Sequence, residues 1–334
     1  MTIYRQIITR FPRGGISYIF AYGSGVKQQL GYDQKEEKKN IIDLVFCVRD
    51  TLGWHAENIA RHPQHYSALR HLGADYIKKY QENFGAGVYC NTLVPLEDLG
   101  VTIKYGVVSR DDLLKDLQQW KYLYLAGRLH KPVQDIVPAT DDKVLTEALS
   151  QNLVSALQVA LLVLPERFST YQLLHAICSL SYKGDFRMIF GENKNKVHNI
   201  VQAQQEQFIE LYQPALKQLA KYVAVDFKAR ELGTNRSVVQ FEQDKSRLAN
   251  EYHLRRVPSR LKECIIRNAA FRGSYADIIE QLAVTDNLHD IVQMSVNDIV
   301  WRSSITQSFK NIPSAGLFKS VVYSYRKALK TFAN

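Results

Sequence analysis

A short segment near the start of the chain combines residue types that can bind a phosphate group and a metal ion. An apolar run ends at Tyr22 and leads into Gly23, Ser24 and Gly25, and a second apolar run carries Asp43 in its middle. Glycines let the backbone approach a phosphate closely, and Ser24 adds a hydroxyl. A carboxylate in an apolar strand is costly unless it is paired or bound to a cation. Because Mg²⁺ prefers one or two carboxylates plus substrate phosphates, this pattern indicates a nucleotidyl-transfer site with Mg²⁺ as cofactor.

Three basic residues later in the chain could complete such a site. Lys104 lies within an apolar run, where it could neutralise a triphosphate or pair with Asp43. The alternative for Lys104 is an outward-facing lysine on an edge strand. Arg128 and Lys131 follow a predicted helix, so they could bind nucleotide phosphates or cap the end of the helix.

A second carboxylate is available at Asp185, which lies two residues before Arg187. These two side chains are close enough in sequence to form a structural pair, or Asp185 could serve as a second metal ligand. We interpret His55, just after the second strand, as structural or as a substrate contact. Phosphoryl transfer with Mg²⁺ needs mainly positioning and charge neutralisation, so it requires no histidine.

The elements that position these residues follow from apolar patterning. The sequence predicts strands at 16–21 and 40–48, a helix over 54–80 broken at 62–63, a hairpin of 87–93 with 101–108, and a helix over 111–126 that Ser109 caps and Gly127 ends. Helices are predicted at 141–164 and 169–180, and residues 195–300 are predicted to be largely helical, with breaks at 233–236 and 257–259. We therefore expect an α/β domain over residues 1–135, a mainly helical domain over 136–300 and a tail over 301–334.

The net charge of +10 is concentrated at the two ends of the chain. Residues 1–32 and 301–334 contain no acidic residue, and the residues between them carry no net charge. A nucleic-acid-binding protein more often carries its charge across a folded face, so no nucleic-acid partner is expected. The start, over 1–14, resembles a mitochondrial presequence, and the alternative is a plain basic terminus. The four separated cysteines are predicted to be buried free thiols in a reducing compartment.

The tail shows an amphipathic pattern at helical spacing. One apolar stripe consists of Phe318, Val322, Tyr325, Leu329 and Phe332, and the adjoining stripe carries Lys319, Arg326 and Lys330. Basic residues beside an apolar face fit a helix that lies in an anionic membrane surface. The alternative is a terminal helix docked on the protein core, but the absence of acidic residues favours the membrane. No apolar stretch approaches the roughly 20 residues that span a bilayer, so membrane contact is expected to be peripheral.

Several motifs together resemble the mitochondrial translocator assembly and maintenance family. The shared motifs are Phe20–Gly25, Asp43, Trp54-His55, His65-Tyr66, Gly85–Tyr89, Ile103–Val107, Ala126–Pro132 and Ser181–Met188. Members of this family are peripheral CTP:phosphatidate cytidylyltransferases. The resemblance implies a nucleotidyltransferase domain, a winged-helix-like helical domain and a membrane-binding tail. It also implies the substrates CTP and phosphatidic acid, the matrix face of the mitochondrial inner membrane, and a place upstream of cardiolipin.

One departure from the wider nucleotidyltransferase pattern concerns the metal site. That superfamily usually has two alternating acids on the second strand, whereas the second position here is Val45. The number of metal ions and their other ligands therefore stay open, with Asp185 as the candidate for the missing carboxylate and Ser24 as the weaker one. Two further functions compete: a soluble nucleotidyltransferase with another acceptor, and a non-catalytic membrane assembly factor.

Overall fold

The computed structural model describes residues 3–23, 41–190, 194–225 and 240–316. Its main sheet contains β1 (Ile16–Tyr22), β2 (Ile42–Val48), β3 (Val88–Leu96), β4 (Val101–Ser109) and β5 (Gln134–Val137). The five strands lie in the order β3-β4-β2-β1-β5. Strands β2 and β4 are parallel, and the other neighbouring pairs are antiparallel. Both predicted strands and the predicted hairpin are confirmed, and so is a mixed α/β fold.

Helices account for most of the remaining described chain. They are α1 (Ile3–Ile8), α2 (Thr51–Arg61), α3 (Gly73–Asn83), α4 (Arg110–Gln119), α5 (Lys143–Val163), α6 (Thr170–Ser179), α7 (Arg187–Phe190), α8 (Lys196–Ala203), α9 (Gln205–Gln218), α10 (Arg247–Arg256), α11 (Ser259–Ala269), α12 (Tyr275–Ala283) and α13 (Leu288–Ala315). Short 3-10 helices occur at Pro63–His65, Ala68–Leu72, Glu97–Leu99 and Ala139–Asp141. Among the described residues, no helix is long and apolar enough to cross a bilayer.

The two faces of the sheet are covered differently. On one face, Ile7 and Phe11 from the start of the chain and Trp54 of α2 pack against Phe46. The segment that resembles a presequence therefore contributes fully buried side chains to this core. On the other face, Phe20 belongs to a hydrophobic cluster that continues through α4 and α5 into the later helices. The four cysteines are buried free thiols, as predicted.

The predicted helix starts are confirmed where a side chain caps the first turn. The Ser109 hydroxyl accepts a hydrogen bond from the Asp112 amide at 3.0 Å and begins α4. Ser169 and Gln172 form a reciprocal capping box at α6, which satisfies amides that have no partner within the helix. The long helix α5 ends at Val163, just before Pro165, as the sequence predicts.

Two helix predictions were wrong in extent. The helix predicted over 54–80 is divided into α2, two 3-10 helices and α3, although the predicted break at His62 is correct. The helix predicted over 111–126 ends at Gln119, because Trp120 adopts a left-handed conformation with φ of 54°. The backbone amides of Tyr122, Tyr124, Leu125 and Ala126 then donate to Asp116 rather than continuing the helix.

The later part of the chain is largely helical, as predicted, but it also holds a small sheet that was not expected. Strands β6 (Arg167–Ser169), β7 (Val223–Val225) and β8 (Gln240–Gln243) form it in the order β6-β8-β7. The winged-helix-like description and the division at residue 135 stay predictions. Helix α13 runs through residue 301, where the sequence predicts the tail to begin.

Some predicted features lie outside the described residues. These are Ser24, Gly25, the break at 233–236, and the tail residues Phe318, Lys319, Val322, Tyr325, Arg326, Leu329, Lys330 and Phe332. Their predicted roles in nucleotide binding and membrane binding stay predictions.

Candidate active site

Asp43 and Lys104 lie side by side on the parallel strands β2 and β4. They occupy paired positions in the register, and the Lys104 ammonium is 3.7 Å from the Asp43 carboxylate. The Lys104 side chain is 16% exposed, and the Asp43 side chain is 26% exposed. The structure therefore brings together the two charged residues that the sequence places in separate apolar strands. A partly open carboxylate beside an ammonium group can hold both a cation and an anionic substrate.

Tyr22 and Gly23 border Asp43 from the neighbouring strand. Tyr22 pairs with Asp43 in the antiparallel register of β1 and β2. Burial, together with the Asp43 charge, raises the pKa of Tyr22 to about 12, so its hydroxyl stays protonated at neutral pH. Gly23 adopts φ of +83°, and a Cβ at this position would lie 3.4 Å from Oδ2 of Asp43. The turn therefore leaves the carboxylate uncrowded because the residue is glycine.

Arg128 lies over two tyrosine rings, one of which is Tyr22. Its guanidinium carbon is 3.7 Å from the centre of the Tyr124 ring and 5.4 Å from that of Tyr22. A guanidinium nitrogen also donates a hydrogen bond to the Tyr124 carbonyl oxygen. Burial by itself would lower the pKa of Arg128, but Tyr124 and Tyr22 outweigh it and raise that pKa. Arg128 is thus a fixed positive charge beside Tyr22, the residue that pairs with Asp43 in the sheet.

The segment that carries Arg128 is held by a buried carboxylate that sequence reasoning missed. Asp116 accepts hydrogen bonds from the backbone amides of Tyr122, Tyr124, Leu125 and Ala126 at 2.8–3.0 Å. Burial raises the pKa of Asp116 in spite of these amides. The sequence did contain a signal for a special role of Asp116. An acidic residue in the last turn of a helix is unfavourable, because its charge opposes the helix dipole. Asp116 therefore fixes the loop that presents Arg128.

Asp185 is engaged by Arg187. The Arg187 side chain donates to both carboxylate oxygens, with Nε at 2.9 and 3.2 Å and a terminal nitrogen at 2.5 Å. Burial would raise the pKa of Asp185, but Arg187 outweighs burial, and the pKa is lowered. The charge of Arg128 also acts on Asp185, so the pair lies within electrostatic range of Arg128. Of the two possibilities left open by the sequence, the structural pair is the one observed.

Lys131 connects the Arg128 segment to the start of the 181–187 segment. Its ammonium donates to the Ser181 hydroxyl at 2.8 Å and to the Gly127 carbonyl oxygen. It also lies 5.1 Å from the centre of the Tyr182 ring. Burial lowers the pKa of Lys131 to about 8. Lys131 therefore joins two motif segments. The contiguous group, which we call the Asp43 cluster, consists of Tyr22, Gly23, Asp43, Lys104 and Arg128.

His55 is buried away from solvent in a polar network. Its Nδ1 is 2.9 Å from the Tyr66 hydroxyl, and its Nε2 is 2.8 Å from Oε1 of Gln81. Burial lowers the pKa of His55 to about 4, so the ring is neutral. This arrangement agrees with the structural interpretation of His55.

The Asp43 cluster has the parts that a phosphoryl-transfer site needs. Lys104 and Arg128 supply positive charge, and Asp43 offers oxygen atoms to a cation. Within the described ranges, no group of three or more His, Cys, Asp or Glu residues is arranged to hold a metal ion. A metal bound at Asp43 would therefore need further ligands from substrate phosphates or water, as Mg²⁺ commonly uses.

Comparisons with known proteins agree with this chemistry. A family model described as mitochondrial phosphatidate cytidylyltransferase matches residues 4–330. A Drosophila melanogaster protein of that name is 60% identical over 340 residues, which cover 100% of this chain and 99% of the relative. The protein of that name from Danio rerio is 44% identical, with 98% and 94% covered. The Caenorhabditis elegans protein is 36% identical, with 99% and 98% covered.

Proposed function

The chain belongs to the mitochondrial phosphatidate cytidylyltransferase family, and from this premise we propose that the Asp43 cluster is the place where it transfers CMP. The reaction joins CTP and phosphatidic acid to give CDP-diacylglycerol and pyrophosphate, a step that supports cardiolipin synthesis. The single observation that carries the proposal is the pairing of Asp43 with Lys104 at 3.7 Å on adjacent strands.

The residues of the cluster suit a reaction between two anions. The phosphate of phosphatidic acid attacks the α-phosphorus of CTP, a new P–O bond forms, and pyrophosphate leaves with the electrons of the broken bond. A phosphate monoester is already ionised near neutral pH, so no strong general base is needed. Lys104 and Arg128 stabilise the charge that develops on the transferring and leaving groups. Gly23, with Ser24 and Gly25, is proposed to bind the triphosphate through the backbone.

Mg²⁺ is the proposed cofactor, and Asp43 fits it as the main protein ligand. Its carboxylate is partly exposed and uncrowded by Gly23. Asp185 stays the proposed second carboxylate, but it would have to exchange the Arg187 guanidinium for the metal. When bound, Mg²⁺ would neutralise the triphosphate. In the absence of metal, Asp43 would instead repel a phosphate, so we expect a strict requirement for a divalent cation.

The enzyme is proposed to act as a peripheral protein on the matrix side of the mitochondrial inner membrane. The support is the acid-free sequence of residues 301–334 and its apolar stripe, which suit an anionic lipid surface. Removal of residues 317–334 should weaken sedimentation with phosphatidate-containing liposomes. Unchanged sedimentation would instead favour a helix docked on the protein.

Activity assays on Asp43→Asn and Lys104→Met test the proposed site. Purified protein is incubated with labelled CTP, Mg²⁺ and liposomes that contain phosphatidic acid, and CDP-diacylglycerol is measured. Each substitution should lower kcat by about 100-fold or more, because each removes charge stabilisation. The matched control is the exposed pair of Lys79 and Asp75 at 2.7 Å on α3, changed to Lys79→Met and Asp75→Asn. Wild-type activity in Asp43→Asn would place the reaction elsewhere.

A further inference from the structure

Strand β3 contains a bulge directly opposite Lys104. Asn91 pairs with Tyr105 and Val94 pairs with Ile103. Two residues of β3, Thr92 and Leu93, therefore lie opposite a single residue of β4, Lys104. Leu93 adopts φ of 50°, which is uncommon for a residue other than glycine. Bulges of this kind are frequent next to active sites, where they redirect a side chain.

Thr92 lies on the face of the sheet that carries the Asp43 cluster. Val88 and Cys90 lie on that face, because a Cβ on Gly106 would be 2.8 Å from Val88 and 3.8 Å from Cys90 while also contacting Val45. Strand alternation then puts Thr92 on the same face. After the bulge the alternation is reversed, and Val94 packs in the cluster on the opposite face.

A polar row therefore runs across four neighbouring strands. Thr92 on β3 is followed by Lys104 on β4, Asp43 on β2 and Tyr22 on β1. Three members of this row already belong to the Asp43 cluster, and Thr92 extends it by one strand. The regular register that runs from the Val88–Val108 pair to the Asn91–Tyr105 pair, continued by one residue, puts Thr92 opposite Lys104.

The Thr92 hydroxyl lacks a partner within the described part of the chain. The residue is 6% exposed, and its Oγ1 atom is buried without a hydrogen bond. A buried hydroxyl without a partner destabilises a protein, whereas a valine of the same shape would not. Such groups in native proteins call for an explanation, and a ligand-binding role is one. Here the threonine lies opposite Lys104 and in the same row as Asp43, which are proposed to bind phosphate and metal.

We propose that the Thr92 hydroxyl is a further substrate-binding group, which donates a hydrogen bond to a phosphate oxygen of the bound substrate. The proposal rests on the proposed location of the active site at the Asp43 cluster. The phosphate oxygen belongs either to the triphosphate of CTP or to the phosphate of phosphatidic acid, and both present the same acceptor chemistry. Substrate binding would thus satisfy a donor that is left without a partner in the protein alone.

Thr92→Val and Thr92→Ser separate this role from packing. Thr92→Val keeps the shape and removes the hydroxyl, so kcat/KM should fall by about tenfold or more, while Tm stays the same or rises by about 1–3 °C. Thr92→Ser keeps the hydroxyl and should retain activity within a few fold. A rise in KM confined to CTP assigns the bond to the triphosphate, and a rise confined to phosphatidic acid assigns it to the acceptor lipid.

The control is Thr306→Val on α13, where an exposed hydroxyl donates to the Arg302 carbonyl oxygen, and activity should be unchanged. Wild-type kinetics in Thr92→Val would overturn the proposal. Equal losses of activity and Tm in both Thr92 variants would also overturn it, because that result indicates packing. An inactive Asp43→Asn together with a fully active Thr92→Val would reject only the role of Thr92. An active Asp43→Asn would reject the site itself.

Discussion

The Lys310 ammonium of α13 donates a hydrogen bond to the backbone carbonyl oxygen of Phe84 at 2.6 Å. It donates a second bond to the carbonyl oxygen of Gln81, also at 2.6 Å. Both carbonyls belong to the end of α3, where backbone acceptors have no partner in the helix. The lysine is 4% exposed. The last described helix is therefore attached to the end of α3 through the buried amine of Lys310, although the two helices are more than 220 residues apart in the sequence.

The stability of the protein should depend on pH through Lys310. Burial lowers the pKa of Lys310 to about 7, below the value of about 10.4 in an unfolded chain. Between these values the unfolded state binds more protons, so the unfolding free energy rises with pH from about 7 toward 10. The expected slope from this group is about 1 kcal/mol per pH unit. Urea unfolding at several pH values measures it, and Lys310→Met should lose this part of the slope. An identical slope in both proteins would contradict the prediction.

Gly23→Ala should impair the active site more than the fold. An alanine at φ of +83° is strained by about 1 kcal/mol, and its Cβ would lie 3.4 Å from Oδ2 of Asp43. We expect reduced kcat and a higher Mg²⁺ requirement. The matched control is Gly73→Ala, where φ is +87° but no atom lies within 4 Å of the new Cβ. It should lose at least as much stability, because φ of 87° with ψ of 166° is a conformation almost restricted to glycine, and it should keep its activity. Equal activity in the two variants would show that the space beside Asp43 is not needed.

Arg187→Met should destabilise the fold by about 3–5 kcal/mol, because it leaves the buried Asp185 carboxylate without its partner. The double variant with Asp185→Asn should recover most of this loss. Thermal unfolding measures both effects. Activity of the double variant tests whether Asp185 is a metal ligand. Retained activity would remove Asp185 from the proposed ligands, and lost activity at normal Tm would support Asp185 as a ligand.

Asp116→Asn should weaken the loop that presents Arg128. The Asp116 carboxylate accepts four backbone amides, and an asparagine replaces one acceptor oxygen with a donor that faces these amides. We expect a loss of about 2–4 kcal/mol together with a raised KM for CTP. Asp98→Asn provides the control, because its carboxylate is exposed and pairs with Arg10 at the surface. A stability loss without any kinetic change would separate Asp116 from the active site.

Phe11→Ala should destabilise the protein by about 3–5 kcal/mol. Phe11 is fully buried and lies 4.8 Å from Phe46 between ring centres. Ile3→Ala, at a residue that is 37% exposed, should cost far less. Equal Tm values for the two variants would mean that the start of the chain does not contribute to the core.

Local patterns in the sequence were sufficient for strands β1 to β4, several helix caps and the unusual position of Asp43, but not for β5 or the small sheet of β6, β7 and β8. Apolar runs that end in glycine, and Ser109 or Ser169 before a helix, act through neighbouring residues, so they are visible in the sequence. The extent of α4 was not predictable in the same way. Its end depends on Trp120 packing and on Asp116 accepting distant amides, and both require the folded loop.

The sequence by itself determined which residues have the chemistry of phosphate and metal binding, and the motifs identified the family. The tertiary structure decided which of them meet. Lys104 lies beside Asp43 because β2 and β4 are parallel neighbours in one register, which no local pattern specifies. Thr92 joins the row because β3 pairs with β4 in an antiparallel register that puts it opposite Lys104. The physical reason is that side-chain type is a local property, whereas strand register and burial depend on contacts between residues far apart in the chain.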